Sequence, residues 1–95
     1  MSEAPLVTEA SVPRFPRGAR LQFNAQRQQW MVQAPERVFV PDQTALAVLQ
    51  RVDGAASIAA IIDDLARAYA APREVICDDV LEMLRDLASK GVIAT

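Results

Sequence analysis

Residues 30–40 read WMVQAPERVFV, and this run limits the possible folds more than any other part of the chain. Trp30, Val32 and Ala34 alternate with Met31 and Gln33, and Val38 and Val40 alternate with Arg37 and Phe39. A period of two on either side of Pro35-Glu36 is the pattern of two short strands. Pro35 suits the second position of a tight turn, because its ring already holds the required φ and no ladder donor is lost there. The run is therefore expected to be a hairpin. Upstream, Arg20 to Asn24 alternates in the same way with Leu21 and Phe23 on one face, and the polar run from Asn24 to Gln29 separates it from Trp30. The expectation is a three-stranded antiparallel meander near residues 20–24, 30–34 and 37–40. Three strands this short cannot bury their own apolar face.

The cover is expected from the residues after Val40. Asp42 after Pro41 is a good N-cap, since its carboxylate can accept from the orphan amides of a first helical turn. Leu46, Leu49 and Val52, with Ala45 and Val48 beside them, mark a helix over residues 43–52 that Asp53-Gly54 ends. Ser57 caps a second helix whose apolar stripe is Ile58, Ile61, Ile62, Leu65 and Tyr69, up to a break at Ala71-Pro72, with Asp63, Asp64 and Arg67 on its wet face. A third runs from about Arg73 to Lys90 on Ile76, Val80, Leu84 and Leu87, flanked by Cys77 and Leu81 on one side and Met83 on the other. Gly91 stops it, and Val92-Ile93 folds back as a short apolar end. Strands followed by helices, with a short turn joining the last two, give an α+β fold resembling a winged helix-turn-helix.

With 95 residues the chain is sized for one domain. Residues 1–18, which hold Pro5, Pro13, Pro16 and Gly18 without periodicity, are expected to be a flexible or surface-draped tail, and residues 19–95 the domain. Aromatics make up only 5% of residues against 52% hydrophobic, so the core is expected to be aliphatic. The single cysteine, Cys77, has no internal disulfide partner, and the start of the chain lacks the order of a secretory signal, so a cytoplasmic setting is expected. Charged residues or Pro interrupt every apolar run short of a membrane span. The absence of His together with one Cys argues against a transition-metal site, and no cofactor is expected.

Charge and inventory also bear on function. The third helix carries Glu74, Asp78, Asp79, Glu82 and Asp86 against Arg85 and Lys90, a net −3 that duplex phosphates would repel. A winged-helix regulator that binds DNA is thus the weaker alternative, and no nucleic-acid partner is expected. No nucleophile and base are paired, and the isolated Gly18, Gly54 and Gly91 form no phosphate loop, so no enzymatic activity is expected. Asp63-Asp64 and Asp78-Asp79 are helix neighbours about 100° apart, which reads as solvated surface. What remains is surface for a partner. An outer strand of a meander keeps a row of free amides and carbonyls, and Arg37-Val38-Phe39-Val40 is a candidate edge to which an extended peptide can add as a fourth strand. Phe39 lies opposite Val38 and Val40, so valines in the core would leave Phe39 facing outward. The alternative is that the edge is capped by the chain itself and Phe39 belongs to the core. The same edge suits a homodimer formed through strand pairing or hairpin exchange.

Several segments at characteristic intervals carry a family likeness: Arg17-Gly18-Ala19-Arg20-Leu21-Gln22-Phe23, Ala34-Pro35-Glu36-Arg37-Val38, Val52-Asp53-Gly54, Leu65-Ala66-Arg67-Ala68-Tyr69 and Asp79-Val80. Together they resemble the PqqD family, small chaperones of pyrroloquinoline quinone biosynthesis, over about residues 13–95. The chain departs from the family pattern at Asn24 and at Val32-Gln33. The resemblance implies a recognition element for a ribosomal precursor peptide, which binds the leader of PqqA and delivers it to the radical SAM enzyme PqqE. It also implies that the leader adds beside the third strand and lies against the third helix. On this chain that points to Arg37, Val38, Phe39 and Val40, and to one flank of the helix. Val75, Asp79 and Met83 share one flank and Cys77 and Leu81 the other; helical spacing leaves the choice open, and Asp79 favours the first because it matches the family pattern.

Overall fold

The chain runs β1 (Arg20–Asn24), β2 (Gln29–Ala34), β3 (Arg37–Phe39), α1 (Gln43–Leu49), α2 (Ile58–Tyr69), α3 (Arg73–Ser89). This is seen in a computed structural model, which describes residues 7–95. The three strands form one antiparallel sheet in the order β1-β2-β3, with Leu21 opposite Val32, Phe23 opposite Trp30, and Val32 opposite Phe39. Pairing by sequence neighbours puts β2 in the centre and leaves β1 and β3 as edges. The fold is the α+β arrangement of a three-stranded antiparallel sheet followed by three helices.

Local chemistry accounts for the helix boundaries. Asp42 accepts from the Ala45 amide at 2.8 Å and Ser57 from the Ala60 amide at 3.2 Å, each satisfying a first-turn donor. α1 is shorter than its apolar spacing predicts and ends at Leu49 rather than at Asp53-Gly54. Beyond it the amides of Arg51 and Val52 bond back to Val48 and Leu49, tight turns that still carry Val52 into the core. Arg51 takes the Ala47 carbonyl at 2.7 Å, and the Asp53 carboxylate accepts from the amides of Ala55 and Ala56, so the polar groups released by this early end are satisfied. α2 ends on Ala70, which adopts a left-handed conformation at φ 50°. Gly91, at φ 76°, closes α3.

The core lies between the inner face of the sheet and the three helices. Val32, Val48, Leu49, Ile58, Ile61, Ile62, Leu65, Val80, Leu84 and Leu87 are all buried, and among the described residues no polar side chain is buried with them. Leu21 and Phe39 pack against this cluster from the sheet, and Val92 and Ile93 close it from the chain end. Each such aliphatic side chain contributes about 1.5–3 kcal/mol on leaving water. Tyr69, expected on the apolar stripe of α2, is instead 61% exposed, because the last turn of the helix runs past the end of the core.

The expected tail also needs correction. Residues 1–6 of it lie outside the described residues, but residues 7–18 pack onto the domain as a strap. Val7 and Pro13 are buried. The carbonyls of Ser11 and Glu9 accept from the Ile58 and Ala59 amides at 2.8 and 2.9 Å, and Arg14 exchanges backbone bonds with Ala94 at 2.8 Å. The strap shows no periodicity because it answers orphan helix donors and a lone bridge, not a continuous ladder. Where it enters β1, Gly18 has φ 85°, and a Cβ there would meet Cγ of Pro35 at 3.1 Å. The glycine therefore lies close to the β2–β3 turn, where a side chain would crowd Pro35 as well as strain the backbone.

Candidate functional site

The outer edge of β3 is open. A two-residue turn makes Ala34 and Arg37 the closing hydrogen-bonded pair of the hairpin, so the alternation of an antiparallel ladder directs the amide and carbonyl of Val38 away from β2. Among the described residues no other backbone group bonds to Val38 or Val40. Of the two orientations left open for this strand, the structure takes the one with Phe39 inward: Phe39 packs against the core, while Val38 and Val40 are 53% and 50% exposed. Period-two alternation separated the two faces correctly, but the helical layer decides which face is the inner one.

Beside this edge lies a cleft of about 750 Å³. Phe39 and Val40 line one wall, Asp79, Met83 and Leu87 of α3 the other, and Asp42 and Thr44 of the α1 entry complete it. Four of the sequence-derived residues thus meet in one place. The other three stand apart. Arg37 turns its guanidinium to the Lys90 carbonyl at 2.5 Å, tying the strand to the end of α3; Val38 faces outward; Val75 is 53% exposed and is not part of the cleft lining.

Glu82 and Asp86 also line the cleft and were missed as site residues. The signal was available, since positions 79, 82, 83 and 86 form one stripe at helical spacing. The rim is acidic. Asp86 is paired with Lys90 at 2.9 Å and Asp42 is engaged as an N-cap, whereas Asp79 and Glu82 make no ion pair among the described residues.

The opposite flank of α3 is covered by the strap. Arg73 bridges Glu9 at 2.6 Å and Asp63 at 2.5 Å, Glu9 also accepts from the Cys77 thiol at 3.4 Å, and Arg85 donates twice to the Val7 carbonyl at 3.0 and 3.2 Å. The Arg73 hydrogen bond, reinforced by the Cys77 thiol, holds the Glu9 carboxyl below its ordinary value. Desolvation first, and then the Glu9 carboxylate, push the Cys77 thiol up, which keeps it protonated and a poor nucleophile. Of the two flanks, only the one bearing Asp79 and Met83 opens onto the cleft.

A second hollow of about 420 Å³ lies between the three helices. Ala47, Leu65, Tyr69, Ile76 and Val80 give it apolar walls, and Thr44, Asp79 and Met83 stand between it and the cleft, lining both. Nothing in the sequence announced it, since its lining comes from three separate helices. Among the described residues no group of three or more His, Cys, Asp or Glu side chains is arranged to hold a metal ion. Nor is any described helix long and apolar enough to cross a membrane.

Comparison with known proteins accords with this architecture. The family model described as "PqqD: Coenzyme PQQ synthesis protein D (PqqD)" matches residues 29–93. A protein of Rhodopseudomonas palustris (strain BisB5) named "PqqA binding protein" is 53% identical over 87 residues, 92% of this chain and 85% of its own length. Two solved structures are similar. The solution structure of the PqqD truncation of Methylobacterium extorquens PqqCD is described as a functional, stand-alone recognition element for ribosomally synthesised and post-translationally modified peptides (RiPPs). It superposes with a TM-score of 0.79 at 40% identity, covering 95% of this chain and 96% of that one. The crystal structure of PqqD from Xanthomonas campestris gives a TM-score of 0.60 at 38% identity, covering 95% and 100%. A family match spanning most of the residues and a relative identical at 53% of 87 aligned positions lead to one conclusion: this chain belongs to the PqqD family.

Proposed function

We propose that this protein is a RiPP recognition element of pyrroloquinoline quinone biosynthesis. On this reading it binds the precursor peptide PqqA in the cytoplasm by strand addition to the free edge of β3 and presents it to the radical SAM enzyme PqqE. The peptide lies with its backbone along Val38 and Val40 and its side chains over Phe39, Asp79 and Met83. Arg37 anchors the edge from behind and Val75 extends the contact beyond the cleft. The protein contributes position, not chemistry.

The observation that carries this reading is the division of labour on α3. The strap already fills the Cys77 and Leu81 flank, while the Asp79 and Met83 flank faces an unfilled cleft with Phe39 on its other wall. An extended chain laid there pairs its backbone with the strand and its alternate side chains with the helix, the usual economy of strand addition. The similarity to proteins named for PqqA binding supplies the guest. A non-catalytic role agrees with the shielded state of the lone thiol.

Titrating PqqA into isotopically labelled protein and following the backbone amides tests the proposal. Shifts concentrated at Val38, Phe39, Val40, Asp79 and Met83 are expected. Val38→Pro, which removes an outward donor, and Phe39→Asp, which places a charge in the cleft wall, are each expected to weaken binding at least tenfold, about 1.4 kcal/mol. Unchanged affinity in both variants removes the site. The edge is equally open to a second copy of the chain, so a homodimer through β3 would exclude the peptide.

A further inference from the structure

The hollow between the helices has no role in strand addition at β3, yet it adjoins the cleft across Thr44, Asp79 and Met83. We propose that it is a second subsite for the same peptide, which crosses the acidic rim beside Asp79 and Glu82 with a Lys or Arg and then sets an apolar side chain between α1, α2 and α3. Such a subsite rests on strand addition at β3 as proposed for PqqA and extends its footprint.

Three observations support it. First, about 420 Å³ within walls of Ala47, Leu65, Tyr69, Ile76 and Val80 is within the range of sites that take a ligand group, and is ample for one large aliphatic or aromatic side chain. Second, among the described residues hollow and cleft are divided by Asp79 and Met83 of α3 facing Thr44 of α1, all three of which line both, so a chain leaving the strand edge passes between them on its way in. Third, the passage is negatively charged. Asp79 and Glu82 make no ion pair among the described residues, Asp42 stands along the same rim, and Asp86 there is offset by Lys90, so a cationic residue is favoured beside Asp79 and Glu82 and an acidic one repelled. Tyr69 provides the far lip. Its exposure in the free protein makes sense if its ring closes against an incoming apolar group.

The test uses the full chain and a synthetic PqqA peptide. On saturation, the amides of Ala47, Tyr69 and Ile76 are expected to shift together with those of Val38 and Val40. Tyr69→Ala, an exposed position that leaves the core intact, is expected to weaken binding about tenfold. Ala47→Leu, which fills the hollow, is expected to do the same while the strand-edge shifts persist. Asp79→Asn combined with Glu82→Gln is expected to flatten the dependence of Kd on salt. Shifts confined to the strand edge, with unaltered affinity in Tyr69→Ala, overturn the second subsite and leave the groove standing. No binding by the wild type overturns both. Shifts at Tyr69 and Ile76 that grow with protein concentration in the absence of peptide assign the hollow to a second copy of the chain and overturn the proposal.

Discussion

Ala70 holds φ at 50°, a conformation that costs an L-residue with a Cβ about 1–2 kcal/mol and costs glycine almost nothing. Its amide and that of Ala71 close the last turn of α2, so the left-handed cap is needed whatever residue occupies it. Ala70→Gly is therefore expected to stabilise the protein by about 1 kcal/mol, read as a rise in Tm of about 4–8 °C. No pattern in the sequence pointed to this strain, because alanine is the best helix former and reads as a continuation of the helix. Phe39 and Tyr69 show the same limit from another side. Alternation correctly set Phe39 against its neighbouring valines but carried no sign for which face turns inward. Helical spacing put Tyr69 on the apolar stripe without knowing that the core stops one turn earlier. Where a cap is chemically distinctive, as at Asp42 and Ser57, the sequence reading and the structure coincide.

The strap is the element that the sequence concealed most. Its backbone is spent on the start of α2, on Ala94 and, through the Val7 carbonyl, on Arg85 of α3, and its Glu9 side chain on Arg73 and Cys77, so neither a period of two nor one of 3.6 appears in it. Its attachment has a pH signature. The folded-state carboxyl of Glu9 is depressed below its ordinary value of 4.5, so its contribution is fully present above that value and is lost as pH falls through the folded-state one. The protection factor of the Ala59 amide, which the Glu9 carbonyl holds, is accordingly expected to fall as the solution is acidified below about pH 4.5, with the exchange rate taken relative to the intrinsic rate at each pH. Arg73→Ala removes the partner that depresses Glu9, and is expected to raise exchange at Ala59 near neutral pH and to abolish most of the acid dependence. Equal pH profiles in the two proteins would show that the ion pair does not hold the strap.

At the scale of the whole molecule, the order of elements was legible because each one announces itself locally: three alternating runs, two side-chain caps, a terminal glycine. The cleft was only half legible. One wall is the contiguous run through Phe39 and Val40, while the other is Asp79 and Met83, some forty residues later in the sequence, and the choice of helix flank depends on a strap that sequence periodicity treats as noise. The family likeness pointed to a strand and a helix that the fold places on opposite walls of one cleft, and the geometry adds which face of each is free.

The closeness of Gly18 to the Pro35 turn carries this dependence on distant residues beyond the cleft. The turn that leads into β3 thus has a neighbour outside the sheet, and on the proposed reading the edge offered to a peptide is sensitive to a residue that the peptide does not touch. Gly18→Val would combine a strained φ, costing about 1–3 kcal/mol, with a steric push on the hairpin tip. The expected outcome is a chain that still assembles its helical layer, shows displaced amide signals from Ala34 to Val38, and holds PqqA more loosely. A lesion at this distant glycine would thus masquerade as a fault in recognition.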